Sequence, residues 1–453
     1  MFWIQLKEQM KKHPSACLRD GKTSVTYEEA IAFAECFAKC LTAPCYGILC
    51  ETELGSALAV LACLAAGKTA VPLSRRYGDL HVRRILEFVR PHYMIGEKGG
   101  KLQIFEIEDQ IYEKPDEQPA FIMCTSGTTG QPKGVMLSEN NILVNVQDIL
   151  RYFSLTDRDR ILISRPLYHC AVLTGEFFTS LMCGADICFI ANPYHVGEWI
   201  RIMEESKITV ACSTPSFFQM MNRLIPKTFP VRKVAVSGEC LDSQAAARVR
   251  MLFPDAEIYH VYGLTEASPR VAYLSPELFD HIPEMLSHSL NSVRLKIVDD
   301  AGGEVPAGTE GELVVRGENV MLGYYRNPTL TAQTIRDGWL YTKDMAVRAQ
   351  DGNIRILGRK DDMIVYAGMN IYPKEIEEAL KSDARVEEVL AYGIPHPFAG
   401  QAVAVKVKGS FADKKEVEAL CRKMLPAYEQ PMRIELVTDI PKNATGKMIR
   451  RKV

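Results

Sequence analysis

Hydrophobic and polar positions along this chain follow two periods, helical and strand-like, and their alternation marks an α/β protein. Apolar residues from Thr26 to Lys39 recur at helical spacing, behind a threonine with Glu29 three positions on, which predicts a capped helix. Residues 46–50 then read as a short buried strand, 55–66 as a helix and 69–73 as a strand. Apolar runs at 120–124, 160–164, 186–190, 209–212 and 233–237 continue the rhythm. From about Asn291 the pattern changes to short, polar-alternating strands at 293–298, 311–316 and 353–357, broken by Gly302-Gly303 and Asp351-Gly352 turns, which suggests a β-rich part. After Gly358 a fresh unit begins, helical at 375–380, extended at 386–393 and 401–408, with a last helix containing 417–424. The polar string Gly358-Arg-Lys-Asp-Asp362 is the expected boundary, separating 1–358 from 359–453.

Composition narrows the class without naming a function. The 453 residues are 47% hydrophobic and 24% charged, enough for two or more buried cores. Fifty-four basic residues against 56 acidic ones give no reason to expect nucleic acid or an anionic membrane as the main partner. The basic run Lys447-Met-Ile-Arg-Arg-Lys452 reads as a solvated tail. Thirteen cysteines are scattered through apolar runs without zinc spacing, as expected of small core residues in a reducing compartment. The N-terminus lacks a signal-peptide pattern and no 18-residue apolar span follows, so a cytoplasmic protein without membrane insertion is expected. No internal repeat stands out.

Candidate chemistry concentrates in four places. Thr125-Ser-Gly-Thr-Thr-Gly-Gln-Pro-Lys-Gly134 combines three glycines, four hydroxyls and one lysine. Gly127, Gly130 and Gly134 permit positive φ and close backbone approach, while N–H groups, hydroxyls and Lys133 donate to anionic oxygens. Two residues separate Gly127 from Gly130 and Gly134 follows Lys133, so the Walker pattern is excluded. Taken alone, the segment is either a polyphosphate cradle or a surface turn. Tyr262-Gly-Leu-Thr-Glu266 offers a ring for a base, a hydroxyl for phosphate and a carboxylate for Mg²⁺. Asp344 suits the two hydroxyls of a ribose, with Arg359 for ribose or phosphate. Asn443-Ala-Thr-Gly-Lys447 would bring one cation to the edge of a site.

In this order the four motifs resemble the adenylate-forming superfamily: acyl- and aryl-CoA synthetases, adenylation domains of nonribosomal synthetases and firefly luciferase. The resemblance runs from Thr26 to Lys447 and implies a large N-terminal domain of two α/β subdomains plus a β-rich one, with a small mobile C-terminal α+β domain. It also implies two half-reactions. A carboxylic acid attacks ATP to give acyl-AMP and pyrophosphate, and a thiol then takes the acyl group. By position, Thr125, Ser126, Gly127, Thr128, Thr129, Gly130 and Lys133 would hold the β- and γ-phosphates. Ser237, Gly238 and Glu239 resemble the adenine segment, with Tyr262 and Gly263 against the base. Thr265 would meet the α-phosphate and Glu266 Mg²⁺. Asp344 and Arg359 would take the ribose, Asp361 the hinge, and Lys447 the cation bridging carboxylate and α-phosphate.

Pro166-Leu-Tyr-His169 resembles the motif whose histidine gates the acid pocket, which would also draw on Cys170, Thr174, Gly238 and Arg270. Amino-acid-activating relatives carry an aspartate where this chain has Cys170. A buried ammonium needs a carboxylate partner, so the expected substrate is an acyl or aryl acid. Arg270 either recognises a second anionic group or pairs with a nearby acid. Gly368, Met369 and Asn370 resemble the pantetheine tunnel, which serves CoA and a phosphopantetheinyl carrier protein alike. No carrier domain follows Val453, so a carrier would act in trans. The alternatives are a stand-alone enzyme loading an amino or aryl acid onto a carrier, and a catalytically inactive adenylate-binding protein. Oligomeric state is left open. Lys343 stands where the family has glycine, a Gly-x-Pro is missing near Ser287-His288-Ser289, and Asn370 replaces an arginine of some relatives.

Overall fold

A computed structural model describes residues 1–453 except 22, 109, 127–131, 191–194, 226, 367–368, 443–447, 449 and 451–453, with the backbone alone at Tyr77 and Ser126. The chain forms two compact units, one of 1–295 with 314–341 and the other of 296–313 with 342–453. The division falls inside three strands, Val293–Val298, Glu310–Gly317 and Trp339–Arg348. Both mix helix and strand, as the sequence periods require.

The first unit holds two large sheets. In the nine-stranded sheet, Cys17–Asp20, Asp186–Phe189, Arg160–Ile163, Val210–Ser213, Lys233–Ser237 and Glu257–Gly263 run parallel in that spatial order. The antiparallel strands Thr23–Thr26, Arg270–Leu274 and His288–Ser289 close its edges. Parallel strands are covered on both faces, which explains why they read as unbroken apolar runs. Helices Val196–Glu205, Pro215–Leu224 and Ser243–Leu252 supply much of the cover, packing Trp199, Phe217, Phe218, Met221 and Val249 into one core. The seven-stranded sheet is ordered Gly323–Tyr324, Pro132–Leu137, Phe121–Ser126, Thr69–Pro72, Cys45–Leu49, Tyr93–Lys98, Lys101–Glu106.

Local signals account for several boundaries. Helix Tyr27–Ala38 begins at a reciprocal capping box between Thr26 and Glu29. Helix Glu53–Ala65 starts at Thr52, whose hydroxyl accepts from the Gly55 N–H at 3.0 Å. The Asp351-Gly352 turn forms with Gly352 at φ 90°. All thirteen cysteines are free thiols, eight of them buried, in line with the core role expected of most.

Both ends of the segment 125–134 are strand rather than loop. Strand Phe121–Ser126 continues through Thr125, and the chain re-enters a strand at Pro132, so that Thr125 faces Lys133 across an antiparallel pair. Gly127, Thr128, Thr129 and Gly130 lie outside the described residues. Gly134 has no positive φ. It is a packing glycine, because a Cβ there would come within 2.9 Å of Ile122 Cγ2 and 3.1 Å of Tyr325 Cβ.

In the second unit, Thr342–Arg348 pairs with Ile354–Arg359. A five-stranded sheet contains Met369–Ile371, Ile364–Tyr366, Gly400–Gly409 and Val386–His396, with Arg433–Leu436 added parallel to Gly400–Gly409. Helices Pro373–Lys381 and Lys414–Met424 bury Ile376, Leu380, Val417 and Leu420 against it. Asp361 lies inside this unit, on a short turn at Lys360–Asp362.

Candidate active site

In the first unit the turn after strand Glu257–Gly263 brings three of the expected residues together. The strand ends at Gly263 because the chain folds back tightly: a Cβ there would sit 2.2 Å from the Pro269 carbonyl oxygen. The Leu264 N–H donates to that same oxygen at 2.9 Å, fixing a turn that presents Thr265 and Glu266. The Glu266 backbone carbonyl accepts from the Met321 N–H at 2.9 Å. Its carboxylate Oε1 accepts from the hydroxyl of Tyr324 at 2.8 Å. The Lys133 ammonium lies 5.7 Å from the centre of the same Tyr324 ring. One buried tyrosine therefore touches both the expected phosphate lysine and the expected metal carboxylate, and sequence reading did not single it out. The only signal was Gly323-Tyr-Tyr-Arg326, whose strand pairs Tyr324 with Val135.

Ser237 ends its strand, and Gly238 follows at φ 88°, exposed. Glu239 turns back toward an earlier helix: its carboxylate accepts from the Ser216 hydroxyl at 2.8 Å and the Ser216 N–H at 3.1 Å. That carboxylate supports the start of helix Pro215–Leu224.

The expected acid-pocket residues His169, Cys170 and Thr174 sit at the start of one helical run whose middle, Leu173–Phe178, is a π turn. His169 is half-buried, edge-on to Tyr168 with ring centres 5.4 Å apart. Burial pushes the Cys170 thiol up to about 12, with the Thr174 hydroxyl pulling it down and Glu266 adding a small push upward. Arg270 is corrected here. Among the described residues it pairs with no carboxylate; Nη1 donates to the Tyr152 hydroxyl at 2.6 Å and Nη2 to the Gly175 carbonyl at 3.1 Å. Its guanidinium also faces the Phe153 ring at 5.3 Å. The acid on this wall is Glu176, almost fully buried, which accepts from Arg165 Nη2 at 2.7 Å. Burial raises the Glu176 carboxyl, and Arg165 and then Arg270 oppose the rise. A glutamate inside the apolar run Leu173-Thr-Gly-Glu-Phe-Phe178 was the sequence signal for such a pair.

The second unit carries the other candidates. Asp344 and Arg359 are register partners, and Arg359 Nη1 donates to Asp344 Oδ1 at 3.2 Å and to the Thr342 carbonyl at 2.9 Å. Lys343, between Thr342 and Asp344, adopts φ 61° and reaches Asp361 Oδ2 at 3.2 Å. Met369 and Asn370 are exposed on their strand. Gly368 and Lys447 lie outside the described residues. Among the described residues, no three His, Cys, Asp or Glu side chains form a metal cage, and no helix is long and apolar enough to cross a membrane.

The family described as AMP-binding enzyme matches residues 6–325, and the family of its C-terminal domain matches 375–447. The chain belongs to the AMP-binding enzymes. The resemblance read from the motifs is thus shown. A long-chain-fatty-acid–CoA ligase of Escherichia coli is 32% identical over 353 residues, covering 76% of this AMP-binding enzyme but only 63% of the relative. This chain thus spans less than two thirds of that relative's length. A feruloyl-CoA synthase of Amycolatopsis is 29% identical, covering 100% of this chain and 97% of the relative. The fold is that of o-succinylbenzoate CoA synthetase from Bacillus subtilis solved with its acyl-adenylate, at TM-score 0.87 and 24% identity over 99% of this chain and 97% of that one. ATP-bound MatB from Rhodopseudomonas palustris matches at TM-score 0.87 and 23% identity, over 99% of this chain and 96% of that one.

Proposed function

We propose that this AMP-binding enzyme activates an acyl or aryl carboxylic acid with ATP, releasing pyrophosphate and holding acyl-AMP, and passes the acyl group to the pantetheine thiol of CoA. The observation that carries this reading is the Lys133–Tyr324–Glu266 arrangement, which sets a cation and a carboxylate about one ring at the end of the 121–137 hairpin. Lys133 and the hydroxyls around it would receive the β- and γ-phosphates, and the Thr265 hydroxyl the α-phosphate. Glu266 would supply one oxygen ligand to magnesium, a cation that keeps several waters and phosphate oxygens. Bound there, Mg²⁺ would neutralise charge on the departing pyrophosphate. Asp344 would hold the ribose hydroxyls, and His169 would border the reacting carboxylate. Lys447 would stand between carboxylate and α-phosphate, where negative charge accumulates as the two approach. The names of the relatives, two of them CoA ligases across separate acid classes, support CoA as acceptor.

Acid-stimulated ATP–pyrophosphate exchange, followed by transfer to CoA or to carrier proteins, tests the reading. Lys447→Ala should lower exchange by about 10²–10³-fold and spare transfer from supplied acyl-AMP. Equal loss in both steps would remove Lys447 from this role. Absence of exchange with every acid would leave a nucleotide-binding protein instead. Transfer to carrier proteins but not CoA would change the acceptor alone.

A further inference from the structure

The buried Arg270 and Glu176 and the partly exposed Arg165 gather beside the acid pocket. Arg165 pairs with Glu176, whose exposure is 1%, and Arg270 acts on the same carboxylate from farther off; among the described residues no other carboxylate lies within ion-pair distance of either arginine. All three charges act on the Cys212 thiol, so they occupy one small region. The cluster keeps one uncompensated positive charge, and a buried charge without a partner is costly.

The arginines are not equivalent. Arg270 spends its two terminal nitrogens on Tyr152 and Gly175, and a Cβ on Gly175 would fall 3.0 Å from its Nε. Arg165 commits Nη2 to Glu176, while its buried Nε has no hydrogen-bond partner among the described residues. Its Nη1 lies 3.9 Å from where a Cβ on Gly238 would stand, so the guanidinium borders the open surface of that glycine. Glu176 Oε2 and Ser213 Oγ are likewise buried without hydrogen-bond partners among the described residues. Unsatisfied polar atoms therefore lie on the cluster itself, at Arg165 and Glu176, and on Ser213 next to Cys212. A plain alkyl chain would leave every one of them unpaired, at a cost of about 1–3 kcal/mol for each group.

We propose that Arg165 is a specificity-determining residue that recognises a second anionic group on the acid, so that the preferred substrate class is the dicarboxylic acids. Glu176 is its positioning residue, holding the planar guanidinium by one edge so that another remains for the incoming carboxylate. The charge left by Arg270 makes the cluster accept that anion. This rests on the proposed acid activation and names which acids it takes.

The test compares length-matched pairs, a monocarboxylic acid and the same skeleton bearing a second carboxylate, in ATP–pyrophosphate exchange. The dicarboxylic member should have a kcat/KM higher by about 10–100-fold, as expected for one charge-assisted contact. Arg165→Gln should bring the ratio to about one, mainly through KM for the dicarboxylic acid. Arg165→Lys should recover part of it. Should Arg165→Gln fail to fold with Glu176 left unpaired, the double variant Arg165→Gln with Glu176→Gln removes both charges together and gives the same readout. Exchange supported equally well or better by monocarboxylic acids overturns the proposal while leaving acid activation standing. A uniform loss across both members of each pair in Arg165→Gln also overturns it. Exchange with no acid at all removes both readings.

Discussion

Lys343 and Asp361 form an ion pair at 3.2 Å, and the lysine makes it from a left-handed backbone at φ 61°. The family pattern has glycine at position 343, and the backbone here keeps the conformation that glycine would adopt freely. The side chain of Lys343 is about half exposed, so the pair contributes at most about 1 kcal/mol. Left-handed φ at a non-glycine residue costs about 1 kcal/mol or more. Lys343→Gly should therefore leave stability unchanged or raise it slightly in denaturant titration. Lys343→Val, a β-branched residue at the same φ, should lower it by about 1–2 kcal/mol.

Tyr324→Phe keeps the ring beneath Lys133 and deletes the hydroxyl that orients Glu266. Loss of an outer partner of a metal ligand weakens metal affinity by about 10–100-fold. The expected result is a raised Mg²⁺ requirement with folding unaffected. Calorimetric titration of ATP at graded Mg²⁺ reads it independently of turnover. An unchanged Mg²⁺ dependence would detach Tyr324 from the metal role proposed for Glu266.

Gly263→Ala should be among the most damaging small substitutions in the chain. Its added methyl would meet the Pro269 carbonyl carbon at 2.9 Å, and that backbone is tied by the Leu264 N–H. About 3 kcal/mol of stability should be lost. Gly21, at φ 60° with nothing within 4 Å, is the control. Gly21→Ala should cost only about 1 kcal/mol for its backbone conformation.

Asp159 predicts an acid limb in the stability curve. Its burial pushes the carboxyl up, but Arg232, the Thr156 N–H and the Thr209 hydroxyl outweigh that and lower it overall. A folded-state value below the unfolded one gives stability that is present above about pH 4 and is lost as pH falls through the folded value. Asp159→Asn should cost about 2–3 kcal/mol at pH 7 and flatten that limb, as measured by urea unfolding between pH 2 and 7.

Much of the architecture was written locally. The Thr26–Glu29 capping box and the parallel strands could be placed because caps and burial act within a few residues. Helices Phe2–Met10 and Asp79–Val89 were not anticipated. Gly134 was misjudged, because it reads as a flexible residue until Ile122 and Tyr325 are seen crowding it. Tyr324 lies 58 residues from Glu266, and only strand pairing brings them together. Arg270 invited an ion pair; its partners, a hydroxyl and a carbonyl, belong to segments that sequence spacing does not connect.

The π turn at Leu173–Phe178 lies within a helical run that is α-helical at Cys170–Val172 before it and at Thr179–Cys183 after it. Such a turn is an α-helix that has absorbed one extra residue without moving its ends. One residue corresponds to about 100° of rotation on a helix. Thr174 and Glu176 thus occupy directions that an uninterrupted helix would assign to their neighbours. A single-codon deletion in this turn that spares Glu176 would swing its carboxylate away from Arg165 while leaving the anchored flanks in register, so the length of this turn is itself a heritable setting of the pocket.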